Sequence, residues 1–258
     1  MIASRQNKTL KDMRRLRRSK GERALLEGPH LIGEALAAGL ALEAVLATPE
    51  FLAGTAGRAL ARALPAPATE VEARLLDELA DADSPRGVLA VARLPRHGAA
   101  ALPLVDGGIY LFAEGIQDPG NLGAIARVAE AVGAAGLALS PGTVHPNHPR
   151  ALRGSAGSLL RLAVATEVEP AALAAHLAPL LPRWAALVPR AGEDLYRAGL
   201  RDGALVLIVG AEGPGLSSGL LERAALRLTI PMAAGVESLN AAVAAAVVLF
   251  EVRRQRAG

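Results

Sequence analysis

Three blocks in the C-terminal half of the chain combine residue types and spacings that suit ligand binding. They are residues 121–127 (Asn-Leu-Gly-Ala-Ile-Ala-Arg), 210–217 (Gly-Ala-Glu-Gly-Pro-Gly-Leu-Ser) and 230–240 (Ile-Pro-Met-Ala-Ala-Gly-Val-Glu-Ser-Leu-Asn). The first block carries an amide and a guanidinium on a predicted helix, and each of the other two is a Gly/Pro-containing loop after an apolar run. This pattern predicts a pocket built largely from backbone, with a few polar side chains directed into it.

The first block begins a helix, because Asp118, Pro119 and Gly120 form a typical turn and helix-start signal. Asn121 as the helix N-cap is the purely structural interpretation. Arg127 follows six residues later among apolar neighbours, where a charge is expected to need a partner. Capping and a functional amide–guanidinium pair both remain open for this block.

The second block contains three glycines that free the backbone for positive φ or close approach to a ligand, namely Gly210, Gly213 and Gly215. Their order differs from that of a dinucleotide fingerprint, Pro214 removes one N–H donor, and the Lys-Ser/Thr pair of a P-loop is missing. A phosphate cradle is therefore only weakly indicated. Glu212 either caps the turn at Ser217 or places a carboxylate in a ligand loop.

The third block follows an apolar strand that Pro231 ends, and Gly235 allows a tight bend. Ser238 is a candidate N-cap for the last helix, which would place Asn240 in the first turn. Capping does not explain why an apolar loop with Leu239 lies beside a Gly-containing bend. Free N–H groups at such a helix start favour an anionic ligand group.

Composition limits the classes of function. The 258 residues are 52% hydrophobic and 2% aromatic, and they include no cysteine. The chain can therefore bury a large core, whereas disulfides, thiolate catalysis and Cys-based metal sites are excluded. The first residues lack the apolar stretch of a signal peptide, and no apolar run reaches a membrane span, so a cytoplasmic location is expected.

The chemistry-bearing blocks lie in a pattern of alternating strands and helices. Residues 21–95 predict a small α/β domain, residues 96–107 a linker, and residues 108–258 a larger α/β domain with a parallel sheet covered on both faces. Helices are expected at residues 51–64, 149–160 and 238–254 among others, and strands at residues 109–113, 205–209 and 226–230.

Charge is concentrated in a basic N-terminal segment, residues 1–20, although the net charge is only +3. Nine basic residues lie between positions 5 and 23: Arg5, Lys8, Lys11, Arg14, Arg15, Arg17, Arg18, Lys20 and Arg23. This segment predicts binding to a polyanion, most plausibly nucleic acid, with a solvated helix or frayed tail as the alternative. Since aromatic residues are rare, contacts to phosphate and sugar are expected to dominate over base stacking.

Two histidines, His145 and His148, lie in a Pro-rich loop, but no third ligand is close in sequence and no metal is expected. Three residues of the following helix are candidates for contact with RNA phosphate: Arg150, Arg153 and Ser155. Simple surface charge is the alternative for these positions.

Taken together, the three blocks resemble the SpoU/TrmH family of RNA 2′-O-ribose methyltransferases, within the SPOUT superfamily. The resemblance covers roughly residues 106–256. Residues 26–35 (Leu-Glu-Gly-Pro-His-Leu-Ile-Gly-Glu-Ala) and 84–88 (Ser-Pro-Arg-Gly-Val) resemble the small RNA substrate-binding domain that precedes the catalytic domain in many members. One departure is Ala233, where some members carry glycine, so that the third loop is expected to differ in shape.

The resemblance implies a trefoil-knotted methyltransferase domain that binds S-adenosylmethionine, a homodimer whose pocket is completed across the subunit interface, and no metal. The residues implied to bind the cofactor are Gly210, Ile230, Leu239, Gly213, Gly215 and Met232. The residues implied to form the catalytic pocket are Arg127, Asn121, Glu212, Ser238 and Asn240. The RNA-binding residues expected from charge are Arg14, Arg15, Arg17, Arg18, Lys20, Arg150 and Arg153.

The activity implied is methyl transfer to a ribose 2′-hydroxyl, and the resemblance of the small domain favours ribosomal RNA over transfer RNA as the substrate. Arg127 is a poor literal base because a guanidinium hardly deprotonates in proteins, and stabilising a developing alkoxide or holding a phosphate suits it better. A nucleotide-dependent oxidoreductase is the competing enzyme class, and its required glycine order and acidic residue are missing. A non-catalytic RNA-binding or ribosome-assembly factor on the same fold is the third possibility.

Overall fold

The computed structural model describes residues 1–16, 21–80, 86–94, 97–213 and 215–257. The chain forms two compact units, one of Met1–Pro95 with Pro146–Arg161 and one of Arg96–His145 with Leu162–Gly258. Residues 146–161, expected within the larger domain, thus group with the N-terminal unit. Within the described residues, no helix is both long and apolar enough to cross a membrane.

The first nine elements belong to the N-terminal unit. They are α1 (Lys8–Leu16), β1 (Arg23–Glu27), α2 (Gly28–Ala37), β2 (Leu42–Ala47), α3 (Pro49–Ala53), α4 (Thr55–Ala63), β3 (Thr69–Glu70), α5 (Ala73–Asp77) and β4 (Val88–Arg93). The described strands form a sheet of order β1-β4-β2-β3, in which β4 pairs antiparallel with both of its neighbours. β4 takes a central place because its first five residues are all apolar and buried.

The remaining elements follow from residue 109. They are β5 (Ile109–Glu114), α6 (Pro119–Ala131), β6 (Gly136–Leu139), α7 (Pro149–Gly154), α8 (Ser158–Arg161), β7 (Val164–Ala165), α9 (Pro170–Leu177), β8 (Arg183–Leu187), β9 (Glu193–Asp194), β10 (Leu205–Gly210), α10 (Ser218–Arg223), β11 (Leu226–Thr229) and α11 (Ala241–Ala257). Helices α7 and α8 lie in the N-terminal unit and the others in the C-terminal unit.

The C-terminal unit is built on a parallel sheet, as predicted. In the described residues its order is β7-β6-β5-β10-β8-β11-β9, and every pairing is parallel. β5 and β10 are buried along nearly their whole length, which parallel strands achieve when helices cover both faces. Alternate side chains of β10, such as Val206 and Ile208, pack with residues of α9 and α10, while α6 and α11 pack together and α11 contacts β10.

Residues 97–107, expected as a linker, pack onto the C-terminal unit. Leu102 is buried in its core, and a short 3₁₀ turn forms at Ala99–Ala101. The buried Tyr110 hydroxyl donates to the Pro103 carbonyl and accepts from the Val105 N–H, both at 2.8 Å. This phenol therefore fixes the end of the segment to the first strand of the sheet.

Three predicted helices differ from those observed. Residues 51–64 form two helices because Gly54 adopts extended backbone, with ψ of 166°, between α3 and α4. Residues 149–160 also divide, since Ala156 and Gly157 have positive φ between α7 and α8. The last helix begins at Ala241, later than the predicted start at residue 238.

Candidate active site

The three blocks identified in the sequence follow strands whose carboxyl ends lie side by side. The first block follows β5, the second follows β10 and the third follows β11. In the sheet, β5 lies beside β10, and β8 lies between β10 and β11. Open parallel sheets bind ligands at the carboxyl edge of the strands, so this edge is where a site is expected.

A cavity of about 560 Å³ opens at this edge, within the usual size range of small-molecule sites. Its lining is mostly apolar side chain and backbone, with two carboxylates and one hydroxyl among them. The residues that line it are Leu187, Val188, Pro189, Val209, Gly210, Ala211, Glu212, Gly213, Gly215, Leu216, Leu221, Ile230, Met232, Glu237, Ser238, Leu239, Ala241 and Ala244.

All six residues expected to bind a cofactor line this cavity: Gly210, Gly213, Gly215, Ile230, Met232 and Leu239. Of the five expected catalytic residues, Glu212 and Ser238 line it as well. Asn121, Asn240 and Arg127 are not among the lining residues. Pro214, whose missing N–H argued against a phosphate cradle, lies outside the described residues.

The second loop depends on Gly210, the last residue of β10. A Cβ at this position would lie 2.7 Å from the backbone of Gly215, too close for any side chain. The N–H of Gly215 donates to the Ala211 carbonyl at 3.2 Å, so the chain turns sharply back on itself. The absence of a side chain at Gly210 therefore lets this loop wall the cavity with backbone.

Glu212 joins the ends of the three blocks in one polar cluster. Its Oε1 accepts hydrogen bonds from Asn240 Nδ2 at 2.7 Å, Asn121 Nδ2 at 3.1 Å and the Ala241 N–H at 3.4 Å. Asn240 Nδ2 also donates to Asn121 Oδ1 at 2.9 Å. One carboxylate oxygen thus gathers donors from the first and third blocks and from the start of α11. Glu212 thus has the ligand-loop position rather than the alternative cap of the Ser217 turn.

Asn240 is the N-cap of α11, and the prediction that Ser238 caps this helix is wrong. Asn240 Oδ1 accepts from the N–H groups of Ala242 at 3.0 Å and Val243 at 3.2 Å. Because backbone N–H groups only donate and a carboxylate only accepts, the orientation of the Asn240 amide is fixed on both sides. Ser238 lies outside the helix with its hydroxyl at the cavity, and its side chain makes no hydrogen bond within the described residues.

The N-cap of α6 is Asp118, which excludes the capping interpretation of Asn121. Asp118 Oδ1 accepts from the Asn121 N–H at 2.8 Å. The side chain of Asn121, the third residue of the helix, is therefore available for Glu212 and Asn240. Both amides of the cluster are thus placed by helix starts, since Asn240 caps α11 and Asn121 lies in the first turn of α6.

Glu114, the last residue of β5, was not singled out in the sequence. Its Oε2 accepts from the Ser217 N–H at 2.8 Å, at the end of the second loop. Glu114 is also paired in register with Gly210 across the sheet. One carboxylate therefore fixes the far end of the loop whose near end begins at Gly210.

Arg127 stands apart from the cavity in a single chain. It is exposed on α6, and it forms no hydrogen bond or ion pair within the described residues. Ile125 and Ala126 are buried while Arg127 itself extends into solvent, so the described residues of the same chain do not supply the partner expected for this charge. The guanidinium is thus free to meet a ligand or a second chain.

Sequence reasoning missed the part of the lining contributed by Leu187, Val188 and Pro189. Leu187 is the last residue of β8, and Val188 and Pro189 follow it. This strand lies between the two strands that precede the second and third blocks. An apolar run followed by proline marked the end of a strand, but only the strand order places that end at the cavity.

The expected RNA-binding residues separate into distinct groups in the N-terminal unit. Arg15 and Arg150 are exposed, whereas Arg14 lies 3.6 Å from Glu78 and Arg153 lies 3.3 Å from the mostly buried Glu27. Arg17, Arg18 and Lys20 lie outside the described residues.

The other two candidates of that loop and helix have structural roles. Ser155 is fully buried, and its hydroxyl donates to the Leu152 carbonyl, so its predicted contact with RNA phosphate is wrong. His148 caps α7, with its Nδ1 accepting from the Arg150 N–H at 3.1 Å.

Comparison with known proteins gives matches along both parts of the chain. Residues 108–250 match the SpoU rRNA Methylase family, and residues 6–90 match the MRM3-like substrate binding domain. An uncharacterized tRNA/rRNA methyltransferase of Synechocystis sp. is 35% identical, with 99% of this chain and 94% of that protein covered. The 23S rRNA (guanosine(2553)-2′-O)-methyltransferase RlmP of Bacillus subtilis is 29% identical, with 98% of each chain covered.

Among solved structures, the SpoU methyltransferase AviRb from Streptomyces viridochromogenes in complex with the cofactor AdoMet is similar with a TM-score of 0.88. The two chains are 25% identical, and the similarity covers 98% of this chain and 99% of AviRb.

Proposed function

Because this chain belongs to the SpoU rRNA methylase family, we propose that it transfers the methyl group of S-adenosylmethionine to a ribose 2′-hydroxyl of RNA. The observation that carries the proposal is the convergence of the three blocks at one cavity, with Glu212 joining Asn121 and Asn240 beside it. The oxidoreductase alternative gains no support from this geometry, because the second loop folds back at Gly210 instead of opening a phosphate-binding helix.

The cavity fits S-adenosylmethionine in size and chemistry. Gly210, Gly213 and Gly215 present backbone, while Ile230, Met232 and Leu239 supply an apolar wall suited to an adenine ring. Glu212 and Glu237 give the cavity a negative side that complements a cationic ligand. When bound, the cofactor supplies a methyl group on a positively charged sulfur, and the chain's own contribution is to align the acceptor with it.

Arg127 is the residue that we assign to the RNA hydroxyl. A guanidinium keeps its proton at any working pH, so we propose that it stabilises the negative charge that develops on the 2′-oxygen. It also forms bidentate hydrogen bonds with an adjacent phosphate. Its exposure and its lack of a partner within the described residues leave it free for this contact. Asn121, Glu212, Ser238 and Asn240 are proposed to shape and polarise the pocket around the acceptor.

A homodimer is part of the proposal because α11 carries an uncovered apolar stripe. Val243 and Phe250 are 50% and 51% exposed and lie seven residues, or about two turns, apart on one face. A second copy of the chain is the proposed cover for this stripe. Since α11 packs against α6, the same contact would bring Arg127 of one chain towards the partner's pocket.

Ribosomal RNA is the proposed substrate class. RlmP acts by name on 23S rRNA, and it resembles this chain along nearly its whole length. The match of residues 6–90 to a substrate binding domain supports assigning RNA recognition to residues 21–95, with the catalytic domain in residues 108–258. Transfer RNA is the alternative substrate, and an assay of methyl transfer to each RNA distinguishes the two. A cytoplasmic location is part of the same proposal, because the RNA substrate is held in that compartment.

We propose that the loops after β10 and β11 are the chain segments that form a trefoil knot. Support comes from the strand order, in which β8 lies between the two strands that precede these loops, and from the return of both loops to the same cavity.

The test is incorporation of labelled methyl from S-adenosylmethionine into unmodified ribosomal RNA, unmodified transfer RNA and incompletely assembled ribosomal particles, followed by nucleoside analysis. A 2′-O-methylated nucleoside from ribosomal RNA is expected, and the Arg127→Ala variant is the matched control. A base-methylated product, or no incorporation into any of the three substrates, would overturn the proposal. Incorporation confined to transfer RNA would retain the reaction and replace the substrate.

A further inference from the structure

Helix α1 presents two chemically different faces. Leu10 and Met13 are fully buried in the core of the N-terminal unit, together with residues of β1, β2, α5 and β4. Lys8, Lys11 and Arg15 are exposed, and their spacing of three and four residues places them along one side of the helix. Over these seven residues the helix rises about 10 Å, so three cationic side chains line a short, straight edge.

The helix is anchored at its start and at its middle. Ile2, which precedes it, donates its N–H to the Glu70 carbonyl at 2.7 Å and accepts from the Glu72 N–H at 3.1 Å. Asn7 Oδ1 accepts from the Thr9 N–H at 2.9 Å in the first turn. Asp12 pairs with Arg23 of β1 at 2.6 Å. The exposed face of α1 is therefore held in a fixed direction and is not the surface of a free tail.

Most of the other cations around α1 are already engaged with carboxylates. Arg5 and Arg14 share Glu78, Arg23 bonds Asp12 and Glu43, and Arg93 bonds Glu22 and Glu43. By contrast, the side chains of Lys8, Lys11 and Arg15 form no ion pair or hydrogen bond within the described residues. The cationic charge that no ion pair holds, in the described part of the basic segment, is thus concentrated on this one edge, where Asp12 attracts Lys8 and Arg15 without pairing with them.

We propose that Lys8, Lys11 and Arg15 form a phosphate-contacting edge that holds the backbone of the RNA substrate on the N-terminal unit. This inference rests on the proposed function in that the bound polyanion is the RNA that is methylated. Phosphate contacts from cationic side chains position a nucleic acid without reading its bases. The edge accordingly contributes to the affinity for RNA and sets the register of the bound RNA. Lys8 and Lys11 are thus added to Arg15 as RNA-binding residues, whereas the neighbouring Arg14 is engaged by Glu78.

The test is the salt dependence of RNA binding by the full chain. A triple variant, Lys8→Gln, Lys11→Gln and Arg15→Gln, loses three phosphate contacts, and the slope of log affinity against log salt is expected to fall by about 2. A fourfold rise in salt would then weaken the variant about 16-fold less than the wild type. The probe is the ribosomal RNA transcript that the wild type methylates, titrated by fluorescence anisotropy.

Two control variants separate the edge from general charge and from misfolding. The variant Lys8→Arg, Lys11→Arg and Arg15→Lys keeps the charges, and it should keep the wild-type slope. The variant Arg5→Gln and Arg14→Gln removes cations already engaged by Glu78, and it should change the slope by less than about half a unit. S-adenosylmethionine affinity, measured on each variant, should match the wild type because these positions lie in the other unit.

An unchanged slope in the triple variant, with wild-type RNA binding and methylation intact, would overturn the inference while leaving the proposed function standing. An equal loss of slope in the Arg5 and Arg14 variant would overturn it too, since the edge would then be no different from its surroundings. Equal binding of the wild type to duplex DNA or to anionic vesicles, without methylation of any RNA, would overturn both proposals.

Discussion

The carboxylate of Glu114 accepts a hydrogen bond from the Ser217 N–H at 2.8 Å, joining residues 103 positions apart in the sequence. Glu114 ends β5, and Ser217 ends the loop that walls the cavity with backbone. The loop is therefore fixed at one end by the sheet and at the other by a single side chain.

We expect Glu114→Ala to weaken S-adenosylmethionine binding by about 3- to 10-fold, the effect of losing one hydrogen bond of roughly 0.5–1.5 kcal/mol. Glu114→Gln keeps an acceptor oxygen and should lose less. Isothermal titration of both variants checks this. Equal affinity of Glu114→Ala and wild type would show that the loop holds its shape without the carboxylate.

Arg127 yields a prediction that separates chemistry from cofactor binding. Because Arg127 lies outside the cavity lining, Arg127→Ala should leave cofactor affinity nearly unchanged while turnover falls by about 100-fold or more, as when a charge-stabilising donor is removed from a transition state. Arg127→Lys keeps the charge and loses the fork, so it should retain part of the activity. Single-turnover methylation with saturating RNA is the measurement, and near-normal turnover in the alanine variant would contradict the assignment.

Asn240 has two separable roles, because its Oδ1 caps α11 while its Nδ2 bonds Asn121 and Glu212. Asn240→Ala should lower the free energy of unfolding by about 1 kcal/mol through loss of the cap, and it should also lose activity. Asn240→Asp keeps the capping oxygen, so stability should be largely retained, but it places a second carboxylate beside Glu212 and turnover should fall. Urea unfolding and methylation assays on both variants check the pair, and parallel losses in both measurements would refute the separation.

Glu251 makes stability depend on pH. The Arg254 guanidinium and then the Gln255 amide donate to this carboxylate, and they hold its pKa down to about 2, below the ordinary 4.5. A lowered folded-state pKa stabilises the protein above pH 4.5, and this contribution is lost as the pH falls towards about 2. Glu251→Gln should therefore be less stable than wild type at pH 7, with the gap closing as the pH falls from 4.5 towards about 2. Urea midpoints across this range test it, with Glu222→Gln on the exposed surface of α10 as the control; a gap that stays constant would contradict the linkage.

The apolar stripe of α11 predicts the assembly state. Val243→Glu combined with Phe250→Glu should convert a dimer into a monomer, because two charges cannot be buried there without partners. Sedimentation velocity measures the mass, and Tyr196→Glu, at a residue that is 57% exposed elsewhere in the C-terminal unit, is the matched control. Monomeric wild-type protein at micromolar concentration would remove the basis for a shared active site.

Local signals in the sequence predicted most of the fold and of the cavity. Apolar runs located β5, β10 and β11, and the glycines of the second block marked the loop that now lines the cavity. The order of the strands in the sheet was beyond such signals. The contribution of Leu187 follows from β8 lying between β10 and β11, and a single sequence does not reveal the order of strands.

The capping assignments failed for a different reason. Ser238 and Asn121 are both good N-cap residues, and propensity alone does not choose between them and their neighbours. In the structure Asp118 and Asn240 are the N-caps, because this arrangement leaves the Asn121 amide and Asn240 Nδ2 to donate to Glu212. A tertiary contact 91 residues away in sequence from Asn121 decided a local question.

We expect the placement of β8 between β10 and β11 to affect folding as well. Parallel pairings between strands separated by long connections form slowly, because the entropy of closing each connection is lost before the contacts are gained. The cavity is complete only when all three strand ends have met, so a chain with any one of them unplaced binds no cofactor. Cofactor present during synthesis would then favour the finished chain by mass action and slow its return to the unassembled state. The supply of the methyl donor would thus influence how much mature protein a cell accumulates as well as how fast that protein works.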